Sequence, residues 1–325
     1  MVRVSICVST YRRPEGLRRL LEGLGGLTFD RIEPPGIEVL VVDNEAQGRA
    51  AEVCQEIESR FPWLLKCQEE ANRGITFARN RGLSSVRRDA DFVAFIDDDE
   101  VPDPRWLEAL LSTQERHGAD VVTGPVVPCF ETKVPAWARR GAFFGPRQHP
   151  DGQRLEVAFT NNVLLRAAIP GALGRMFDNQ FALTGGEDTD FFMRVHRAGY
   201  RIVWAAGAIV TETVPPSRTT VGWVLRRGYR EWGSHSRCES VLYPSATVRA
   251  ARILKATTLI AAGFAFLPVG ALLGRHQLVR SMLLVARGAG SLAGLLGRHY
   301  AEYDDRAAPP PPGGSGSSAP PDHLG

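Results

Sequence analysis

The chain has 325 residues, of which 44% are hydrophobic and 23% charged, and its formal net charge is +3. This composition is ordinary for a globular protein, and the length allows one large domain or two smaller ones, each with a sizeable core. A net charge this small argues against a nucleic-acid-binding protein. The five cysteines include no closely spaced pair, so we expect neither a zinc site nor a disulfide framework.

The N-terminal residues and the cysteine pattern are typical of a reduced chain that faces the cytosol. Residues Val2–Ser9 contain only a short apolar stretch and no cleavage pattern, so no signal peptide is expected. Cys7 lies between apolar neighbours and is expected to be a small core residue.

The first hundred residues alternate between strand and helix patterns. Short apolar or β-branched runs predict the strands, and apolar residues at helical spacing predict the helices between them. In chain order these elements are the strand Val4–Ser9, a helix from Pro14, the strand Ile37–Val42, the helix Ala50–Arg60, the strand Leu64–Gln68, the helix Ile75–Ser85 and the strand Phe92–Ile96. This alternation indicates an α/β fold with a parallel sheet and right-handed crossovers.

The pattern is less regular after residue 100. We expect a helix over Trp106–Gln114, capped by Asp103, and another that begins at Val221. The remaining expected elements are the strands Val121–Val127, Glu156–Leu165, Ile202–Trp204 and Ile209–Glu212 and the helix Asp188–Ala198.

Four consecutive acids, Asp97 to Glu100, follow the apolar strand Phe92–Ile96. Ligands of open α/β sheets bind where such strands end, and carboxylates suit Mg²⁺ or Mn²⁺, which also bind phosphate oxygens. The alternative is a solvated acidic turn before the next helix. We expect Asp97 and Asp99 to face the crevice, and Asp98 and Glu100 to be solvated neighbours.

Two further acidic positions are candidates for the same crevice. Asp43 ends the second strand, and parallel strands bring their carboxyl ends to one edge; the alternative is an Asx turn with Asn44. Glu187 and Asp188 follow two glycines and begin a helix, where an ionised carboxylate at a defined position can accept a proton from a hydroxyl. The alternative is a capping cluster that offsets the helix dipole.

An arginine-rich segment, from Arg226 to His235, is the basic candidate. Arginine binds phosphate oxygens in bidentate fashion, so this segment could stabilise a departing diphosphate. The alternative is a segment beside the membrane that attracts anionic headgroups.

The C-terminal third contains two apolar stretches. Residues 256–274 carry no charged side chain, and a second stretch, Ser281–Gly297, is interrupted by Arg287. A membrane span, a re-entrant or interfacial helix pair, and a soluble helical hairpin all fit this pattern. The Pro/Gly/Ser-rich tail, residues 301–325, is expected to be disordered.

Five motifs occur in the order found in family-two glycosyltransferases, and the chain resembles that family over about residues 1–235. They are Val4-Ser-Ile-Cys-Val-Ser-Thr-Tyr-Arg-Arg13, Asp43-Asn44, Asn72-Arg-Gly74 with Ala78-Arg-Asn80, Phe95-Ile-Asp-Asp-Asp-Glu100, and Gly185-Gly-Glu-Asp-Thr-Asp190. Within the family the chain is most similar to bacterial exopolysaccharide transferases of the succinoglycan type.

The resemblance implies a GT-A fold, a nucleotide-diphosphate sugar donor such as a UDP-hexose, and inversion at the anomeric carbon. It implies that Asp188 is the catalytic base, and that Asp99 and Asp97 hold Mn²⁺ or Mg²⁺. The implied substrate-binding residues are Thr10, Tyr11, Arg12, Asp43, Arg79, Asp97, Glu187 and Arg226.

The acceptor implied is a saccharide or a lipid-linked sugar in polysaccharide biosynthesis, at the cytoplasmic face of the membrane or in the cytoplasm. Processive members of the family carry a Gln-x-x-Arg-Trp motif, which Arg226 to Trp232 only faintly matches, so we expect transfer of a single sugar. The expected parts are a GT-A domain (1–235), an apolar, membrane-associated helical region (236–300) and the tail.

Two rival functions remain. A sugar nucleotidyltransferase also uses an acid pair at a strand end, but it usually carries a Gly-rich, Arg-containing loop after the first strand, which Ser9–Pro14 lacks. A membrane-tethered scaffold would bind a sugar nucleotide with Mn²⁺ and release no nucleotide from any donor.

Overall fold

Strands and helices alternate along the described chain, residues 1–45 and 48–298 of a computed structural model. The first elements are β1 (Arg3–Thr10), α1 (Pro14–Gly25), β2 (Gly36–Asp43), α2 (Ala50–Glu58), β3 (Leu64–Glu69), α3 (Ile75–Ser85), β4 (Phe92–Ile96), β5 (Glu100–Pro102) and α4 (Trp106–His117). They are followed by β6 (Val121–Thr123), β7 (Val126–Phe130), α5 (Ala136–Gly141), β8 (Arg154–Leu155), β9 (Asn162–Arg166), α6 (Ile169–Ala172), α7 (Glu187–Arg197), β10 (Ile202–Trp204), β11 (Val210–Val214), α8 (Val221–Leu242), α9 (Ala246–Leu273) and α10 (Arg275–Leu295).

The main sheet has the strand order β3-β2-β1-β4-β9-β6-β10-β8. β1 is parallel to β2 and β4, and β2 is parallel to β3. β9 is antiparallel to both of its neighbours, β4 and β6, and β8 is antiparallel to β10. The expected α/β fold with a mostly parallel sheet is therefore confirmed, with two antiparallel strands added. Because β1, β2 and β4 run in one direction, their carboxyl ends meet at one edge of the sheet.

Helices cover both faces of this sheet, which explains why its strands are continuously apolar. Successive side chains of a strand point to opposite faces: Val4, Ile6 and Val8 belong to one core, and Cys7 belongs to the other. The first core is completed by leucines of α1 and by apolar residues of α2 and α4, including Leu17, Leu20, Leu21, Leu24, Val53, Ile57, Trp106 and Leu110. The second is completed by α7, through Phe191, Phe192 and Val195.

The expected strand Val121–Val127 is wrong, because two strands in different sheets occupy it. β6 lies in the main sheet, whereas β7 joins β5 and β11 in a second sheet of order β5-β11-β7. Gly124 and Pro125 separate them: Pro125 has no N–H to donate to a ladder, and a Cβ on Gly124 would lie 2.3 Å from the carbonyl oxygen of Ala208. The chain therefore leaves the main sheet at this dipeptide.

Two other boundaries differ from expectation. Within the expected strand Glu156–Leu165 only the C-terminal part is regular, as β9, and the short β8 precedes it. Helix α4 begins at Trp106 with Arg105 at its N-cap position, so Asp103 is not the cap. Asp103 instead accepts a hydrogen bond from the backbone N–H of Arg105 at 3.0 Å.

The C-terminal apolar stretches form a helical hairpin, α9 and α10, that packs on the long helix α8. Glycines let the backbones approach closely: a Cβ on Gly290 of α10 would lie 2.0 Å from the carbonyl oxygen of Tyr229, and one on Gly294 would lie 2.1 Å from that of Gly233. Gly288 approaches Ala256 of α9 in the same way. Such contacts between small residues are typical of helices packed in membranes.

By length and composition, α9 and α10 could each cross a membrane. At 1.5 Å per residue they are about 42 and 32 Å long. Large apolar side chains of α9, among them Phe264, Leu272 and Leu273, are more than half exposed. The expected division at residue 235 falls inside α8, which runs on to Leu242, and the expected disordered tail lies outside the described residues.

Candidate active site

The carboxyl ends of three neighbouring strands bring the predicted residues of the N-terminal half together. Thr10 and Asp43 are partners in the pairing of β1 with β2. The hydroxyl of Thr10 donates a hydrogen bond to Asp98 at 2.8 Å, which joins the end of β1 to the acids after β4. A small cavity of about 210 Å³ opens here, lined by Thr10, Arg12 and Asp43 together with Arg13, Pro14, Leu17, Glu45, Arg49 and Ala50.

Asp43 is held by backbone N–H groups. Its two oxygens accept hydrogen bonds from the N–H groups of Glu45 at 3.0 Å and of Ala50 at 3.2 Å. The turn that sequence analysis allowed is therefore present, with Glu45 as the donor residue, and it places a carboxylate at the start of α2. Burial raises the pKa of Asp43 above its ordinary value.

Asn44 fixes the neighbouring loop that carries the Asn-Arg-Gly motif. Its amide donates hydrogen bonds to the carbonyl oxygens of Glu70 at 2.9 Å and Asn72 at 2.8 Å, and its oxygen accepts one from the N–H of Gly74 at 2.7 Å. The Arg73 guanidinium of this loop lies over the ring of Tyr11, 5.3 Å from its centroid. The loop and the end of β1 thus form one wall of the site.

The acidic run after β4 is only partly what the sequence suggested. Asp97 and Asp99 keep partly exposed side chains, 38% and 18%. Asp98 and Glu100 are buried, with 5% and 1% exposure, so the expectation that they are solvated neighbours is wrong. Asp98 is buried because Thr10 supplies a hydrogen bond to its carboxylate, as does Arg13 at 2.9 Å.

Burial also makes Asp98 and Glu100 harder to ionise. It raises the pKa of Asp98 to about 6 and that of Glu100 well above its usual range, the latter with help from the charge of Asp97. The side chain of Glu100 accepts a hydrogen bond from the N–H of Asp97 at 3.0 Å, which fixes the turn.

Arg79 connects the two acidic clusters. It is 6% exposed, and its guanidinium forms ion pairs with Asp97, at 3.1 Å, and with the carboxylate of Glu187. Glu187 is buried, its second carboxylate oxygen has no hydrogen-bond partner, and burial raises its pKa to about 7. The sequence predicted that Arg79 contacts the nucleotide; the structure places it between the acids.

Asp188 lies beside this pair, on a turn that the two glycines make possible. Gly185 and Gly186 have φ values of 72° and 95°, the left-handed region that glycine adopts without strain. Asp188 is in the first turn of α7, and its carboxylate accepts a hydrogen bond from the N–H of Thr189 at 2.6 Å. Asp97, Arg79, Glu187 and Asp188 line one large cavity.

Two arginines that were not predicted as binding residues, Arg13 and Arg218, reach the acids, and one arginine of the predicted basic segment, Arg227, reaches the cavity. Arg13 and Arg218 both bind the same carboxylate oxygen of Asp99, at 2.9 and 3.3 Å. Arg13 adjoins the predicted Arg12, whereas Arg218 lies in a short turn after β11 that carries no local signal. Arg227 of α8 lines the cavity, but the predicted Arg226 is exposed and is not among the lining residues.

The large cavity has a volume of about 1390 Å³ and extends well beyond the acids. The loop between α5 and β9 lines one side, through Phe143, Phe144 and Phe159. Arginines and the apolar residues of α9 and α10 line the other side. The cavity therefore joins the edge of the main sheet to the C-terminal hairpin.

Asp97 and Asp99 are the residues expected to hold a divalent cation. In residues 1–45 and 48–298, no group of three or more His, Cys, Asp or Glu side chains could hold a metal by itself. Mg²⁺ is usually bound by one or two carboxylates together with substrate phosphates. The pair of partly exposed acids therefore fits a cation that is shared with a phosphate group.

Family models and relatives identify the type of protein that carries these residues. The sequence matches the model of Glycosyl transferase family 2 over residues 5–177, and that of Glycosyl transferase family group 2 over residues 92–295. It is 34% identical over 236 residues to the succinoglycan biosynthesis protein ExoM of Rhizobium meliloti (strain 1021), covering 73% of this chain and 75% of the relative. It is 28% identical over 279 residues to a glucosyl-dolichyl phosphate glucuronosyltransferase of Haloferax volcanii, covering 76% and 80%.

Solved structures share the fold at low sequence identity. The mannosyltransferase PcManGT from Pyrobaculum calidifontis, in complex with GDP-Man and Mn²⁺, superimposes with a TM-score of 0.63 at 17% identity, covering 91% of this chain and 88% of that one. S. aureus TarS 1-349 with UDP-GlcNAc superimposes with a TM-score of 0.52 at 16% identity, covering 92% and 93%. The expected GT-A fold is confirmed.

Proposed function

The chain belongs to glycosyltransferase family 2, and we propose that it is a metal-dependent, inverting enzyme that transfers one sugar from a nucleotide-diphosphate donor. The proposed donor is a UDP-hexose, and the proposed acceptor is a hydroxyl of a saccharide or lipid-linked sugar in polysaccharide biosynthesis. The likeness to a succinoglycan biosynthesis protein supports this acceptor class.

The observation that carries the proposal is the bridge formed by Arg79. This buried side chain joins Asp97, at the end of β4, to Glu187, at the start of α7, and Asp188 follows Glu187 directly. One cavity therefore holds Asp97, an acid suited to a phosphate-bound cation, and Asp188, an acid suited to accept a proton. A transferase that moves a sugar from a nucleoside diphosphate to a hydroxyl acceptor needs both groups near the reacting carbon.

The donor is assigned to the edge formed by β1, β2 and β4. Thr10, Arg12 and Asp43 would border the nucleotide, because they line the small cavity. Tyr11 would border it too, because the guanidinium of Arg12 lies over its ring, 4.9 Å from the centroid. Arg13 and Arg218, which bind Asp99, can bind diphosphate oxygens and stabilise the charge that develops on the leaving group. Arg13 and Arg218, rather than Arg226, are therefore the arginines proposed to bind the departing diphosphate.

Asp188 would deprotonate the acceptor hydroxyl, which then attacks the anomeric carbon from the face opposite the nucleotide. The nucleoside diphosphate leaves with the electrons of the glycosidic bond, so the configuration inverts in one displacement without a covalent intermediate. A Mg²⁺ or Mn²⁺ ion held by Asp97 and Asp99 would supply positive charge at the diphosphate. Glu187, kept in place by Arg79, fixes the direction of the Asp188 turn and borders the substrate.

Membrane attachment through α9 and α10 is part of the proposal. The exposed apolar side chains of α9 and the length of both helices support it. The catalytic part, residues 1–235, would then lie on the cytoplasmic face, where it meets the nucleotide sugar. Flotation of the full chain with liposomes, compared with a chain ending at residue 245, tests this attachment.

A panel of sugar nucleotides tests the enzymatic function. Purified protein, Mn²⁺ and a membrane extract as acceptor source are incubated with each donor, and nucleotide release is measured. We expect one donor to respond, chelation of the metal to abolish the response, and Asp188→Asn to lower turnover by about 10²–10⁴-fold while donor binding stays nearly intact.

Asp30→Asn is the matched control, because Asp30 is exposed and distant in sequence from the site motifs. Near-normal turnover of the Asp188 variant would disprove the assignment of the base. Nucleotide binding without release from any donor would instead favour the scaffold.

A further inference from the structure

The large cavity changes character along its length. Near α7 it is lined by the acids, whereas near the C-terminal hairpin it is lined by Phe266, Val269 and Leu273 of α9. These three side chains are 49–63% exposed, so the cavity opens beside an apolar surface at that end. A ligand that fills it would be polar at one end and apolar at the other.

A cluster of cations and one indole lies between these two ends. The Nζ atom of Lys255 is 5.0 Å from the centroid of the Trp232 ring, and the Cζ atom of Arg287 is 5.8 Å from it. All three residues line the cavity. Each comes from a different helix, Trp232 from α8, Lys255 from α9 and Arg287 from α10, so packing of the hairpin on α8 creates the cluster.

The two cations are not neutralised by acids. Within the part of the chain that the structure describes, neither Lys255 nor Arg287 has a carboxylate within 4 Å, and the buried Nε of Arg287 has no hydrogen-bond partner. Their neighbour Arg252 differs, because it forms an ion pair with Glu239, 2.6 Å from its Nε. Two uncompensated positive charges in one cavity favour an anionic ligand.

The positive charge of Arg287 costs free energy at this position in α10. It lies in the middle of α10, a helix otherwise apolar enough to cross a membrane, and a charged residue in such a helix is usually retained for binding or transport. The electrostatic cost falls when an anion occupies the space beside it.

Helix α8, which carries Trp232, also contacts the turn that precedes the proposed base. Ser234 of α8 packs against Gly186, since a Cβ on that glycine would lie 2.8 Å from the Cβ of Ser234. Gly186 is two residues before Asp188, and Trp232 is two residues before Ser234. Trp232, Ser234 and Asp188 all line the large cavity, so an anionic group held at Trp232 and a sugar attached to it would share that cavity with the base.

We propose that Lys255 and Arg287, beside the indole of Trp232, form the subsite for the phosphate or diphosphate of a lipid-linked acceptor. The inference rests on the proposed transferase function and names the acceptor class and the residues that recognise it. The lipid chain would run along the apolar end of the cavity beside α9, and the sugar would point to Asp188. This subsite is separate from the arginines assigned to the donor diphosphate, Arg13 and Arg218.

Binding, rather than turnover, tests the subsite. Farnesyl diphosphate is titrated into the full chain in detergent, with saturating UDP and Mn²⁺ to occupy the donor edge, and binding is followed by calorimetry. We expect Lys255→Gln and Arg287→Gln each to weaken binding by about tenfold, the loss of one charge-assisted contact. Lys255→Arg and Arg287→Lys should retain most of the affinity, and unchanged UDP binding shows that each variant is folded.

Arg249→Gln is the matched control, because Arg249 is an exposed cation of α9 that does not line the cavity. It should bind as the wild type does, and farnesol and inorganic pyrophosphate should both bind at least about tenfold more weakly than farnesyl diphosphate.

The proposal is overturned if the Gln variants bind normally, if Arg249→Gln loses as much affinity as they do, or if pyrophosphate alone binds as tightly as the prenyl compound. Failure of sugar transfer by the wild type would refute the proposed function, and this binding assay is independent of it.

Discussion

Replacing Arg79 by methionine tests the bridge between the acidic clusters. Methionine keeps most of the side-chain volume but removes the charge that lies between Asp97 and Glu187. Arg79 and Glu187 are 6% and 3% exposed, so water cannot replace the lost partner. Breaking a buried ion pair by removing one member costs about 3–5 kcal/mol, because the other charge is left uncompensated.

The stability lost in Arg79→Met should depend on pH, because Glu187 titrates in this range. Burial raises the pKa of this residue to about 7, above its ordinary 4.5, so its contribution to stability is present at low pH and is lost as the pH rises through 7. Without Arg79 the pKa rises further, and the variant continues to lose stability at higher pH. The variant is therefore destabilised most at pH 8.5 and by less than half as much at pH 5.5, where Glu187 is protonated in both proteins.

Thermal unfolding of the full chain in detergent measures the effect. With an unfolding entropy of about 2.1 cal/mol/K per residue over 325 residues, 1 kcal/mol corresponds to roughly 1.5 °C. The midpoint at pH 8.5 should fall by about 4–7 °C in Arg79→Met. Arg81→Met, an exposed position on the same helix, should change it by less than about 1 °C.

Neutralising the orphaned acid should restore stability. The double variant Arg79→Met/Glu187→Gln is expected to recover most of the lost midpoint, because no buried charge is left without a partner. Equal destabilisation at pH 5.5 and pH 8.5, or no recovery in the double variant, would refute the reasoning.

Three further changes probe other parts of the structure. Gly290→Ala should lower the unfolding midpoint and detach α10 from α8, since its Cβ would lie 2.0 Å from the Tyr229 oxygen. The control Gly222→Ala, whose Cβ would have nothing within 4 Å, should be neutral or slightly stabilising. Equal midpoints of the two variants would contradict the close packing. Asn44→Ala removes three hydrogen bonds and should lower the free energy of unfolding by about 1–3 kcal/mol. It should also weaken nucleotide binding, as measured by calorimetry. Unaltered binding would show that the loop held by Asn44 does not shape the donor site. Burial raises the folded pKa of Asp98 to about 6, so the wild type should lose stability as the pH rises from about 4 to 6. Asp98→Asn should not show this loss, and identical pH profiles of the two proteins would refute the assignment.

Local sequence patterns determined the architecture of the N-terminal half. Apolar strands that end in acids, with amphipathic helices between them, place Thr10, Asp43 and Asp97 at one edge of any parallel sheet, whatever the details of packing. The order of the motifs also identified the family, because those residues occupy strand ends and helix starts that the local pattern already defines. The glycines before Asp188 were readable in the same way, since Gly185 and Gly186 adopt the positive φ values that their residue type permits.

Tertiary structure decided which charges are buried and what they pair with. Arg79 and Glu187 are 108 residues apart, and Arg218 and Asp99 are 119 apart, so no local pattern could join them. The same holds for Asp98, which is buried by Thr10 and not solvated as its acidic neighbours suggested.

In the C-terminal hairpin, too, the sequence predicted the helices and tertiary packing decided the contacts of their side chains. Composition alone predicted two apolar helices, but only the packing of Gly290 and Gly294 against α8 brings Lys255 and Arg287 to Trp232. Secondary structure follows from interactions between residues close in the chain. The charge state and partners of a side chain instead depend on distance and burial, which are set only when distant segments pack together.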